Sequence, residues 1–134
     1  MNLPNPYFKE VVDTVADIAC WLSGRAGPER LATLMARFSP GFSMITMSGA
    51  VLDYAGVDAL FSHGHGARPG LVIDIDELRA HAVWADGATI GYREAQTDAQ
   101  GRRTVRRSTV VFRREADGLI VWRHLHETAV AAQA

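Results

Sequence analysis

A chain of 134 residues with a formal net charge of −1, nearly half apolar, can bury one core and carries no global field that would draw it to nucleic acid or an anionic membrane. Its one cysteine, Cys20, excludes a disulfide framework or an all-cysteine metal site within one chain, and beside Trp21 in a predicted helix it reads as a small buried hydrophobe. No stretch approaches the roughly 20 apolar residues of a membrane span, and Met1–Pro6 lacks the basic and apolar regions of a signal, so a soluble, cytoplasmic protein is expected.

The first predicted element is a helix over 5–23. Asn5 caps it, Pro6 suits its first turn, and Phe8, Val11, Val15, Ile18 and Leu22 recur at helical spacing before Gly24 closes it. A second helix is predicted over 28–37, after Gly27-Pro28, and Ser39-Pro40-Gly41 reads as a turn. Short strands over 42–47 and 50–53 precede a third helix over 54–63, which His63-Gly64-His65-Gly66 then breaks.

From Leu71 the pattern changes to strands, predicted over 71–84, 88–98, 102–115 and 119–128. Three loops share one form: Ala85-Asp86-Gly87, Ala99-Gln100-Gly101 and Ala116-Asp117-Gly118. Each fits a three-residue hairpin loop with a left-handed third residue, so the four strands read as an antiparallel meander.

Those loops also imply a register. Trp84, Ala88, Phe112 and Trp122 form one cross-strand row, and Ala82, Ile90, Val110 and His124 the next. Ala80, Tyr92, Ser108 and His126 follow, then Leu78, Glu94, Arg106 and Thr128. All are even-numbered and share one face, because alternate side chains of a strand point the same way. That face carries the aromatics and is expected to meet the helices. The opposite face mixes Val83, Thr89, Val111 and Leu125 with Arg79, Arg93, Arg107, Arg123 and Glu127, as suits solvent or a dimer surface.

Three helices with a short hairpin, then a long meander, resemble the nuclear transport factor 2-like superfamily, which includes ketosteroid isomerase, scytalone dehydratase and SnoaL-type polyketide cyclase folds. The resemblance to SnoaL-like bacterial proteins of unknown function rests on Phe38-Ser-Pro-Gly-Phe42, Gly49 with Leu52-Asp53, Tyr92-Arg-Glu94-Ala-Gln96, Arg106-Arg-Ser-Thr-Val-Val-Phe112 and Trp122-Arg-His-Leu-His-Glu-Thr128. It implies a cone-shaped α+β domain spanning the chain, with N-terminal helices on a curved antiparallel sheet and a pocket between them. It also implies a homodimer through the sheet. Enzymes of that superfamily place an Asp or Glu base in the cavity, often helped by His or Tyr.

The candidate site gathers at the polar end of the even face. His124, His126 and Glu94 are the expected proton carriers. Tyr92, Arg106 and Ser108 would orient a ligand, and Trp84, Ile90, Phe112 and Trp122 would form an apolar wall. A firm pairing with Arg106 would lower the pKa of Glu94 and make it a poor base. His63 and His65 are placed near the pocket mouth, as a gate or as a solvated loop. Asp74, Asp76 and Glu77 read as a solvated strand or bulge.

Three functional readings stay open. The first is a pocket for a small, largely apolar molecule with a carbonyl or hydroxyl, with cofactor-free proton transfer of the isomerase, dehydratase or cyclase type. The second is a non-catalytic binding or dimerisation module whose polar cluster is structural. The third is a metal-dependent enzyme using His124 and His126 with Glu94, although His-x-His alone is a weak metal signal. Alternation sends Arg103 and Arg107 to one face and Arg106 to the other, so nucleic-acid binding is not expected. No Gly-x-Ser-x-Gly elbow, phosphate loop or dinucleotide fingerprint is present.

Overall fold

The computed structural model describes residues 5–131, so the reading of Met1–Pro4 lies outside the described residues. Helix α1 spans Pro6–Ser23, and Asn5 Oδ1 accepts from the backbone N–H groups of Tyr7 and Phe8 at 2.8 and 3.2 Å. Gly24 ends it in the left-handed region, at φ 83°, and its N–H donates to the Trp21 carbonyl. The second helical segment is tighter than expected. Pro28–Arg30 forms a 3₁₀ turn, and α2 covers only Leu31–Met35.

Strand β1 covers Phe38–Ile45 and so includes the Ser39-Pro40-Gly41 stretch expected as a turn. Its pairing is interrupted between Phe38 and Ser43, and Pro40, which has no N–H to give a ladder, sits in that interruption. Strand β2 (Val51–Asp53) and helix α3 (Tyr54–Gly64) follow, with Asp53 Oδ1 capping α3 by accepting from Gly56 N–H at 2.9 Å. The meander consists of β3 (Val72–Trp84), β4 (Gly87–Thr97), β5 (Arg103–Arg114) and β6 (Ile120–Ala129).

The six strands form one sheet in the order β2-β1-β6-β5-β4-β3. Every neighbouring pair is antiparallel except β1 with β6, which is parallel. The helices cover one face, and the core lies between: Val11, Val15, Leu34, Phe42 and Val57 meet Ile90, Val110, Phe112, Trp122 and Leu125. The α+β class and the four-stranded meander are as expected. No described helix is long and apolar enough to cross a membrane.

The β4–β5 register matches the expected rows throughout: Ala88 faces Phe112, Ile90 faces Val110, Tyr92 faces Ser108 and Glu94 faces Arg106. The flanking ladders differ. Gly87 partners Trp84, so the first hairpin loop has two residues, and Ala88 faces Val83 instead of Trp84. A Cβ on Gly87 would lie 2.5 Å from the Phe112 carbonyl oxygen, so glycine is required there for close approach. Two further shifts in β3 put Ile75, not Leu78, opposite Glu94, and Glu77 sits in the first of them at φ 52°.

The shift with the largest consequence is in β6. Phe112 faces Trp122 as expected, but Val111 faces His124, leaving Arg123 as the extra residue of a bulge. Beyond it Val110 meets Leu125 and Ser108 meets Glu127. The expected rows through His124, His126 and Thr128 are therefore displaced by one residue, and a one-residue slip exchanges the faces.

Candidate functional site

The inner face and the helices enclose a cavity of about 150 Å³. Its apolar wall comes from Val15, Ile18 and Leu22 of α1, from Val57 and Phe61 of α3, and from Phe38, Phe42 and Met44 of β1. Trp122 and Leu125 form its sheet side, and Tyr92, Glu94, Gln96, Arg106 and Glu127 converge at one end. Larger clefts of about 350 Å³ beside α1 and about 240 Å³ on the outer face are more open to solvent. The inner cavity alone of these three joins an apolar enclosure to convergent buried charges, the combination small-molecule sites use.

Burial is the first cause of the electrostatics at the polar end. It raises the pKa of Glu94 above the ordinary carboxylate range, against the lowering effects of the Gln96 hydrogen bond and of Arg106. The nearby charge of Glu127 raises it further, and Arg68 lowers it. Arg106 Nε lies 3.9 Å from Glu94 Oε2, too far for a hydrogen bond, whereas Arg106 Nη1 reaches both Glu127 oxygens at 3.3 and 3.4 Å. The firm Glu94–Arg106 pair considered from the sequence is thus replaced by an Arg106–Glu127 pair, and the proton affinity of Glu94 is raised by burial instead of lowered by pairing. Arg106 Nε–H is buried without an acceptor among the described residues. Tyr92 is raised well above its ordinary value, first by burial and then by Glu94 and Glu127, so its hydroxyl stays a donor.

The expected site residues divide. Glu94, Tyr92, Arg106 and Trp122 line the cavity. Ser108, Ile90 and Phe112 share that face and are buried in the core beside it, with the Ser108 hydroxyl close to that of Tyr92. Trp84 is 44% exposed beside the first hairpin turn and forms no wall. His124 and His126 are corrected to the outer face. His124 Nδ1 and the Ser43 hydroxyl are hydrogen-bonded at 2.8 Å, and His126 is exposed. They cannot share an ion with Glu94 across the sheet, and among the described residues no group of three His, Cys, Asp or Glu side chains gathers at metal-binding spacing.

The histidines at the C-terminal end of α3, His63 in its last turn and His65 at its cap, do not reach the cavity either. His63 Nδ1 donates to the Ala59 carbonyl at 2.7 Å, and His65 donates to the Ala26 carbonyl while stacking on Trp21 at 4.1 Å. On the outer face Asp76 and Glu77 pair with Arg93, and Glu77 also with Arg107.

Three residues were missed. Gln96 lies two positions after Glu94, on the same face by alternation, and donates to Glu94 Oε2 at 2.6 Å. Glu127 was placed on the wrong face by the unanticipated bulge. Its signal was Leu125, the only apolar residue in 123–128, which must turn inward and can do so two strand steps from Trp122 only if one residue is looped out. Arg68 reaches Gln96 Oε1 at 2.5 Å from the segment after α3, and nothing local in the sequence marks it.

No family model matches the chain, nor does any curated protein. Solved structures do. The association domain of C. elegans CaMKII has 15% identity and a TM-score of 0.68 over 90% of this chain and 92% of its own. A protein from Streptomyces avermitilis, described as a candidate dehydratase from the NTF2-like family, has 18% identity and a TM-score of 0.68 over 96% of this chain and all of its own. These likenesses concern the fold. An NTF-2 like protein of unknown function from Pseudomonas aeruginosa is far more similar, with a TM-score of 0.89 and 45% identity over 93% of this chain and 98% of its own. Identity at that level along nearly the whole of both chains, on one fold, shows that the chain belongs to the NTF2-like family.

Proposed function

We propose that the inner cavity binds a small, largely apolar molecule bearing a carbonyl or hydroxyl, and that Glu94 exchanges a proton with it without a cofactor. The observation that carries this reading is a buried carboxylate of raised proton affinity at the end of an apolar cavity, beside an Arg106 Nε–H that has no hydrogen-bond acceptor among the described residues. A ligand oxygen accepting from Arg106 or Tyr92 would acidify the adjacent C–H, and Glu94 would take that proton and return it elsewhere. Isomerisation needs only that transfer. In dehydration the proton would go to a β-hydroxyl that leaves as water, and in cyclisation to the oxygen of a second carbonyl that the enolate attacks. A candidate dehydratase on the same fold fits this class. Of the expected proton carriers, Glu94 alone lines the cavity, so His124 and His126 have no direct part.

The test is solvent-deuterium exchange at the α-carbon of small cyclic ketones, with binding followed by NMR. Parent protein should bind and exchange, and Glu94→Gln should bind yet exchange at least ~100-fold more slowly. Equal exchange by both proteins would remove the proton-transfer role, and a panel that leaves every cavity resonance unmoved would remove the ligand reading.

A second reading has its own support. The outer face exposes Val72 and Trp84 beside charged residues, and the same fold serves as an association domain elsewhere. A homodimer through that face is compatible with a working cavity on the other. Sedimentation of the parent and of Trp84→Glu reads it: a dimer that becomes a monomer supports the face, and a monomeric parent rejects it.

A further inference from the structure

Gln96 is nearly fully buried, and its amide bridges two charged groups. Its Oε1 accepts from Arg68 Nη1 at 2.5 Å, and its Nε2 donates to Glu94 Oε2 at 2.6 Å. The order cannot be reversed without loss. A guanidinium has donors only, so the amide must turn its oxygen to Arg68, which leaves its NH₂ for the carboxylate. Arg68 is itself held. Its N–H donates to the Leu22 carbonyl at 2.8 Å, and the neighbouring Gly66 N–H donates to Trp21 at 3.1 Å, which pins the segment to the end of α1. Gly66 has φ 67°, and a Cβ on Gly24 would lie 3.3 Å from Gly66 Cα, so two glycines permit this close approach.

We propose, building on the cavity reading above, that Gln96 is a positioning residue whose amide, oriented by Arg68, ties down Glu94 Oε2 and presents Oε1 to the cavity as the atom that takes the proton. Among the described residues no hydrogen bond reaches Oε1, whereas Gln96 and Arg106 both approach Oε2. The groups facing Glu94 are Arg106 from β5, Glu127 from β6, Tyr92 on its own strand and Arg68 from the segment after α3. The parts of α1 and α3 that line the cavity are apolar. Arg68 and the Gln96 N–H favour the ionised form, against burial and Glu127. Were Arg68 absent, the amide could turn and set its oxygen against the carboxylate, holding Glu94 protonated.

The experiment is a ¹³C NMR titration of the Glu94 carboxyl in ligand-free protein, for the parent, Gln96→Leu, Arg68→Ala and Arg68→Lys. Gln96→Leu and Arg68→Ala should each raise the midpoint by about one pH unit, and Arg68→Lys, which still only donates, should restore most of it. Arg68 is partly exposed, so its variants keep the test available should Gln96→Leu not fold. An Arg68→Ala midpoint equal to that of the parent, in folded protein, overturns the proposal. The titration needs no ligand, so its outcome is separable from that of the exchange experiment. A moved midpoint with no ligand bound keeps the relay and rejects the cavity function, and an unmoved midpoint with ligand exchange does the opposite.

Discussion

The β4–β5 and β5–β6 ladders share a strand and behave differently. Between β4 and β5 the pairing runs unbroken from Gly87–Arg113 to Thr97–Arg103, so alternation alone assigns every side chain to a face. Between β5 and β6 it runs regularly from Arg114–Ile120 to Phe112–Trp122 and then skips Arg123. The second ladder therefore has two halves of opposite parity. Trp122 points inward by the count from the hairpin, and Leu125 and Glu127 point inward by the count after the bulge. The lesson is that a hairpin loop sets register only as far as the first looped-out residue, and here that residue decides whether imidazoles or a carboxylate enter the cavity.

Arg106 links the two ladders, since it sits on β5 between Glu94 of β4 and Glu127 of β6. Arg106→Leu should have the largest effect, about 3–5 kcal/mol in urea unfolding near neutral pH, because it strands two buried carboxylates. The bulge itself is tested by paired substitutions. Leu125→Ala should cost about 2–4 kcal/mol as a core truncation, and His126→Ala should stay within about 0.5 kcal/mol as a surface change. The reverse ranking would restore the unbulged register. Trp122→Phe should cost about 1 kcal/mol, since the indole N–H that reaches Glu10 and Thr14 at 3.2 Å is lost while the apolar body remains.

The last prediction is a slope. The folded-state pKa of Glu94 is raised above its unfolded value, so the stability tied to its protonated form is complete below the ordinary carboxylate range. It is lost as pH rises through the raised value. Glu94→Gln does not titrate there, so its stability relative to the parent should grow with pH across that window and then level off. Urea unfolding at a series of pH values reads the difference, and a flat difference would mean that Glu94 titrates as an ordinary surface carboxylate.

Much of this was legible because it is local. The Asn5-Pro6 start and Gly24 end of α1 depend on a few neighbouring residues, and Gly101 and Gly118 occupy left-handed loop positions as their hairpins require. What was misread depended on competition. The Ser39-Pro40-Gly41 stretch has turn residues, yet β6 recruits it into an interrupted strand, where Trp122 N–H donates to the Arg37 carbonyl at 2.9 Å. The interruption in β1, between Phe38 and Ser43, stands opposite the bulge at Arg123, between Trp122 and His124, so the two irregularities accommodate each other. The β1 segment gives no sign of its interruption, and the lone apolar Leu125 is the one local mark of the bulge.

The sequence by itself determined the fold class, the meander and the inward placement of Tyr92, Glu94 and Arg106, because alternation and loop length act over a few residues and nothing interrupts β4 and β5. Only the tertiary structure decided that Glu127 and Leu125 join them, that the histidines face outward, and that Arg68 approaches Gln96. Those choices rest on burying Leu125 at the expense of one ladder position and on packing Gly66 against Gly24, contacts between residues far apart in the chain.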